Sequence, residues 1–270
     1  MENKPVNGGV NYKRRSFVIS MAAAIGAGVL GLQACGRNKD QNAAGENPVI
    51  VQRRVSLAAL DWQSFLKKWS DDVIHLIDSN HLGQYVPQHM EALKTGYLAF
   101  PGANALEIDA AEKKLGLRLP PSYKAFLRVS NGWRQVAMDA EDGFLYSVNQ
   151  IGWFRELQPQ SLRAWLSGTG SLDASDEQYF VYGAKQDSVH LRDSYLKDCL
   201  AISSQIDSAI YLLNPHVVDS NGEWEAWFFG YKLPGANRYQ SFQEMMQAEY
   251  QRVMGNLQTE IEFFRNRRAT

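Results

Sequence analysis

With 270 residues, 45% of them hydrophobic and 11% aromatic, the chain can fill one sizeable core, or at most two, and is not a disordered polymer. The formal net charge is −1, but residues 1–34 hold four of the 28 basic residues and one of the 29 acidic ones, leaving 24 and 28 in the remainder, net −4. That balance argues against a nucleic-acid-binding surface.

At the N-terminus, Lys13-Arg14-Arg15-Ser16-Phe17-Val18 precedes an apolar, Ala/Gly-rich stretch from Val18 to Ala34, the layout of an export signal. Arg14, Arg15 and Phe17 resemble the twin-arginine motif, whose pathway exports folded proteins, although Lys13 replaces the usual Ser or Thr and Ile19 the frequent Lys. Leu32-Gln33-Ala34-Cys35 resembles a lipobox, in which a small residue before the cysteine admits the signal peptidase and the thiol takes the diacylglycerol; Gln33 is not the favoured small residue at its place. The alternative is an uncleaved anchor, but a stretch of 17 residues with several glycines stands at the lower edge of what spans a hydrocarbon layer of roughly 30 Å. The expected organisation is therefore an export signal over residues 1–35 ending at a lipidated Cys35, a flexible tether over 36–52, and a folded body over 53–270. An acylated Cys35 leaves Cys199 without an intrachain partner, so packing must hold the fold, and Cys199 in Cys-Leu-Ala-Ile reads as a small core hydrophobe.

From Ser56 to Ile77 the apolar positions Leu57, Leu60, Phe65, Leu66, Trp69, Val73 and Leu76 recur at helical spacing, which predicts one or two amphipathic helices before a break at 81–87. Asn104 and Glu107 then form an N-cap and capping-box pair ahead of Ile108, Ala111 and Leu115, and Gly116 stops that helix. Pro120-Pro121 opens a second helix with Tyr123, Phe126 and Leu127 on one face, and Asn131-Gly132 closes it. Beyond Gly132 the pattern turns to strands, at 143–148, 178–182, 199–202, 209–213 and 224–229, with Asn221-Gly222 as a turn signal. A closing helix over 241–265 carries Phe242, Met245, Met246 and Tyr250 as its stripe. Helices before and after a run of strands predict an α+β fold, one domain with a mixed or antiparallel sheet.

Ile108, Glu112, Leu115-Gly116, Leu119-Pro120, Tyr123, Phe126-Leu127 and Asn131-Gly132, in that order, resemble the signature of the SUKH superfamily, which includes the Smi/Knr family. The likeness extends upstream to Trp62, Phe65-Leu66 and Trp69-Ser70, and downstream to Ile151-Gly152-Trp153, Ala201-Ile202-Ser203, Ala209 to Asn214-Pro215, Gly222 to Trp227 and Ser241-Phe242. It covers roughly residues 58 to 252. What the resemblance implies is a non-catalytic protein-binding module: bacterial members look like immunity proteins that block polymorphic toxins, and the yeast relative, a cell-wall regulator, acts as an interaction hub. An acidic body suits a basic toxin, whereas the export signal favours a toxin or envelope protein met outside the cytoplasm, with a membrane attachment through the lipid.

Motifs for chemistry are absent from the sequence. His75, His81 and His89 are spaced by six and eight residues, His190 and His216 stand alone, and there is no G-x-S-x-G, P-loop or G-x-G-x-x-G, so no metal or cofactor is expected. Asp71-Asp72, Glu141-Asp142 and the pair Glu223 and Glu225 are the carboxylates that an alternative function, an envelope hydrolase acting on cell-wall or carbohydrate material, would use. Trp133, Trp153, Trp165, Trp224 and Trp227 fall at strand ends and loops, where large rings suit an interface. Trp133 or Trp153 is the expected exposed anchor, with Glu141, Asp142, Glu223 and Glu225 as an acidic rim. Trp224 and Trp227, an odd number of residues apart, should face opposite sides of a strand, with one of them serving the core.

Overall fold

Reciprocal capping sets the helix pair where the sequence places it. In the computed structural model, which describes residues 48–51, 58–81, 90–134, 144–169, 173–205 and 208–268, α3 runs Ala105–Leu115. Asn104 Oδ1 accepts from the Glu107 N–H at 3.0 Å, and Glu107 Oε2 accepts from the Asn104 N–H at 2.8 Å. Gly116 ends α3 in the left-handed region at φ 73°, a conformation that glycine adopts without steric cost. Helix α4, Pro121–Val129, follows with proline at its first position. Before this pair come β1, Val49–Val51, then α1, Trp62–Ser79, capped by Asp61, and α2, Met90–Thr95.

After the pair come β2, Trp133–Arg134, β3, Phe144–Leu145, and β4, Gly152–Trp153. A largely helical segment follows, with α5 at Phe154–Leu157, α6 at Pro159–Thr169, α7 at Asp176–Tyr179 and α8 at Asp193–Leu196. The remaining strands are β5, Leu200–Ala201, β6, Ala209–Asp219, β7, Trp224–Gly230, and β8, Gly235–Tyr239; α9, Phe242–Arg268, closes the described chain. The main sheet is antiparallel in the order β4-β5-β6-β7-β8, with β1 added parallel to the far end of β6, and β2 and β3 form a separate ribbon. The fold is α+β, with helices before and after the strands.

The two-residue alternation of β6 and β7 feeds two cores. Tyr211, Leu213, Trp224 and Ala226 join α1, α3, α4 and α9 on one face, through Leu66, Trp69, Ile108, Phe126, Phe242 and Met245. Ile210, Leu212, Trp227 and Phe229 join the segment from α5 to α8 on the other, through Phe154, Trp165, Tyr179 and Leu196. Trp224 and Trp227 therefore do face opposite sides, but both are buried, because both faces of the sheet are covered.

Three sequence expectations need correction. Residues 178–182 are not a strand: Ser175 and Gln178 close a capping box that turns the chain into α7, a local hydrogen-bonding device that outweighs the β preference of the aromatic run. Of the described part of the expected strand, 144–148, Phe144–Leu145 forms β3 and Tyr146 adds one backbone bond to the Ile202 carbonyl at 2.8 Å, before Ser147 and Gln150 form a turn held by Gln150 Oε1. The stretch assigned to a tether, 36–52, ends in β1, whose Val49, Ile50 and Val51 pair with Val217, Val218 and Asp219. The export-signal residues Arg14, Arg15 and Phe17 and the lipidation candidate Cys35 lie outside the described residues.

Candidate functional site

The expected tryptophan and carboxylate site does not assemble at the surface. Trp133 is 1% exposed and packs its ring 5.2 Å from that of Trp69 in the helical core, so it is not an exposed anchor. Its position one residue after Gly132 carries it inward: Trp133 bridges Ala99 and pairs with Leu145. Trp153 is half-buried at the edge strand β4, with the Arg155 guanidinium 5.2 Å from its ring centre. Glu141 and Asp142 lie outside the described residues.

Glu223 and Glu225 are buried, which corrects the acidic-rim expectation. Glu223 accepts from the Ser122 N–H at 2.7 Å and from Ser122 Oγ at 2.6 Å, at the N-terminal turn of α4 where backbone N–H groups and the helix dipole favour a negative charge. Glu225 points to the opposite core. It accepts from the Tyr179 hydroxyl at 2.5 Å, the Tyr182 hydroxyl at 2.8 Å, Asn214 Nδ2 at 2.9 Å and Trp227 Nε1 at 2.7 Å, with Arg238 Nη1 4.0 Å away. Arg238 is itself fully buried and donates to the carbonyls of Tyr179 and Val181. Burial, reinforced by the charge of Glu225, raises the pKa of Tyr179 and Tyr182, which keeps both hydroxyls protonated as donors. This network clamps the segment around α7 onto the sheet, with its acceptor capacity spent inside the protein.

Among the described residues, two surface concavities lie beside α3. A groove of about 530 Å³ runs between the start of α3 and the 144–150 segment, with Phe100, Phe144 and Leu145 as apolar lining and Glu107, Asn131 and Gln150 as polar lining. A smaller concavity of about 130 Å³ lies between the next turns of α3, at Ala110, Ala111 and Lys114, and the chain at Val148 to Ile151. Leu106, one helical turn before Ala110, is 79% exposed at this face.

The signature residues build the groove. Asn131 Oδ1 accepts from the Val148 N–H at 2.7 Å, and the Asn131 N–H donates to the Pro101 carbonyl at 3.2 Å, so one residue ties the loop before α3 to the turn after β3. Gly132 sits at φ 109°, and a β-carbon there would come within 2.8 Å of the Leu145 carbonyl oxygen. The guanidinium of Arg134 lies 3.8 Å from the Phe100 ring centre and donates to the Ala99 carbonyl at 2.9 Å, which fixes that ring.

Sequence reasoning read Asn131-Gly132 as a helix stop and as part of the family signature, not as groove residues, and missed Leu106, Phe144 and Gln150. Leu106 had a signal: it falls off the Ile108, Ala111, Leu115 stripe of a helix whose other face should be polar. Phe144 and Gln150 had none.

Among the described residues, no group of three or more His, Cys, Asp or Glu side chains is placed to hold a metal ion, and no helix is long and apolar enough to cross a membrane. Cys199 is fully buried behind the sheet, and desolvation raises its thiol pKa well above the ordinary value, the environment of an inert core cysteine. No curated protein matches the chain closely enough to count as a relative. The sequence profile of the SMI1 / KNR4 family (SUKH-1) matches residues 102–248, more than half of the 270, running from the lip of the groove into α9. The chain belongs to the SMI1 / KNR4 family (SUKH-1).

Proposed function

We propose that the folded body is a non-catalytic protein-binding module, held at a membrane of the cell envelope through a lipidated Cys35, and that its partner is a toxin or an envelope protein. The observation that carries this reading is the continuous face beside α3, where a groove, a second concavity and the exposed Leu106 adjoin on rigid, capped elements. One of the carboxylate pairs a hydrolase would use speaks for binding as well: Glu223 and Glu225 are engaged by Ser122, Tyr179, Tyr182, Asn214 and Trp227 inside the cores. Net negative charge on the body favours encounter with a basic partner.

The test is capture of a partner by crosslinking in cells that express the full chain, with wild type compared to Leu106→Arg. Leu106 is exposed, so the substitution leaves the fold intact, and loss of a partner held by wild type is the expected result. Equal capture by both proteins, or turnover of wall glycan by the purified chain, would end this reading. Labelling with a fatty-acid analogue that disappears in Cys35→Ser tests the anchor separately.

A further inference from the structure

We infer that the groove between α3 and β3 grips the main chain of an extended peptide segment, with Asn131 and Gln150 donating to its carbonyls and Glu107 accepting from its N–H groups. This rests on the protein-binding reading and names what part of a partner the site takes.

The argument begins with how the two amides are used. Asn131 spends its oxygen on the Val148 N–H at 2.7 Å, and Gln150 spends its oxygen on the Ser147 N–H at 3.0 Å and the Ser147 hydroxyl at 2.9 Å. Their NH2 groups have no partner among the described residues, and both residues line the groove. The internal bonds fix which end of each amide faces inward, so the groove offers two donor groups in a set orientation. Glu107 gives one oxygen to the Asn104 N–H at 2.8 Å, and the carboxylate has lone pairs to spare. Donors and an acceptor beside the apolar Phe100, Phe144 and Leu145 match a chain whose carbonyls and N–H groups are both unpaired.

That pattern selects among occupants. A helix has its main-chain groups paired internally, so its middle could not satisfy the two amides. A sugar ring could stack on the face of Phe100 that Arg134, 3.8 Å away, leaves free, but it does not by itself supply the alternating carbonyls and N–H groups that two amide donors and a carboxylate acceptor match. An extended segment places an apolar side chain on the Phe100 and Phe144 rings while its main chain meets the amides.

The experiment uses isosteric variants. Asn131→Asp and Gln150→Glu keep the oxygens that accept from Val148 and Ser147 and replace each outward NH2 donor with a charged carboxylate oxygen. Peptides selected from a random display library against the full chain are the probe, measured by fluorescence anisotropy, each also made with an ester replacing one peptide bond to weaken that carbonyl as an acceptor. The expected result is a loss of at least about threefold to tenfold for each donor, the worth of a neutral hydrogen bond, with the repulsion between the new carboxylate and the peptide carbonyl adding to it. The ester should weaken binding to wild type and have no further effect in Gln150→Glu, a non-additivity that a merely structural role would not produce. Unchanged thermal midpoints for both variants must accompany this. Peptide binding that ignores both variants, selection of no peptide, or binding of an N-acetylglucosamine tetramer in place of peptides would each overturn the inference. Crosslinking through Leu106 would still stand on its own in those cases, which separates failure of this inference from failure of the protein-binding reading.

Discussion

Replacing Glu225 with alanine is expected to cost about 3–5 kcal/mol of stability, the penalty for removing one partner of a buried ion pair. The magnitude follows from what the carboxylate does. Its removal strands three donors, the hydroxyls of Tyr179 and Tyr182 and Trp227 Nε1, leaves Asn214 Nδ2 with only the Tyr179 hydroxyl at 3.3 Å, and leaves the fully buried Arg238 without its counter-charge. Each stranded group alone costs about 1–3 kcal/mol, but they relax together, so the sum is not reached. Urea unfolding followed by far-ultraviolet circular dichroism measures the change, with Asp187→Ala on the exposed surface as the reference. The double variant Glu225→Leu with Arg238→Met removes both charges and should recover part of the loss. If Glu225→Ala unfolds within about 1 kcal/mol of wild type, the scale of an ordinary substitution, Glu225 does not clamp this segment to the sheet. If it instead loses partner binding at unchanged stability, the acidic-rim expectation from sequence was right after all.

Trp133→Ala should destabilise by about 3–5 kcal/mol as a core truncation, whereas Trp133→Phe should cost much less, because the indole N–H has no hydrogen-bond partner among the described residues to lose; equal costs in thermal unfolding would contradict this. Burial raises the pKa of Tyr239 to about 12 and raises those of Tyr123, Tyr179 and Tyr211 above the ordinary tyrosine value, so at alkaline pH the folded state holds protons that the unfolded state releases. Their contribution is present below pH ~10 and is lost as pH rises from there through 12. Tyrosinate absorbance and circular dichroism should therefore change together, and early ionisation of these tyrosines in a folded chain would refute it. In a Cys35→Ser background, Cys199 should react with a maleimide only at the rate of unfolding, and rapid labelling of the native protein would show that the site is open.

Local chemistry made much of this protein legible. The capping box at Asn104 and Glu107, the stop at Gly116, the prolines opening α4 and the turn at Asn221-Gly222 are all encoded within a few residues, and each stands where the pattern put it. Periodicity carried the long helices α1 and α9, because one face of each must meet a core, while β6 and β7 were legible as aromatic and β-branched runs, β6 only over 209–213 of Ala209–Asp219. The family signature was likewise readable as an ordered set of such devices, and so was the buried character of Cys199.

Tertiary structure alone decided the rest. Whether Glu223 and Glu225 sat in solvent or in a core depended on Ser122, 101 residues away, and on Tyr179, 46 residues away, and a charge placed on a strand does not announce its partners. Both faces of the sheet turned out to be covered, so Trp224 and Trp227 each found a core where alternation alone predicted one inside and one outside. The groove exists because Asn131 joins Pro101 to Val148 across the chain. Burial is a property of everything that packs around a residue, and the sequence near that residue holds only a small part of it.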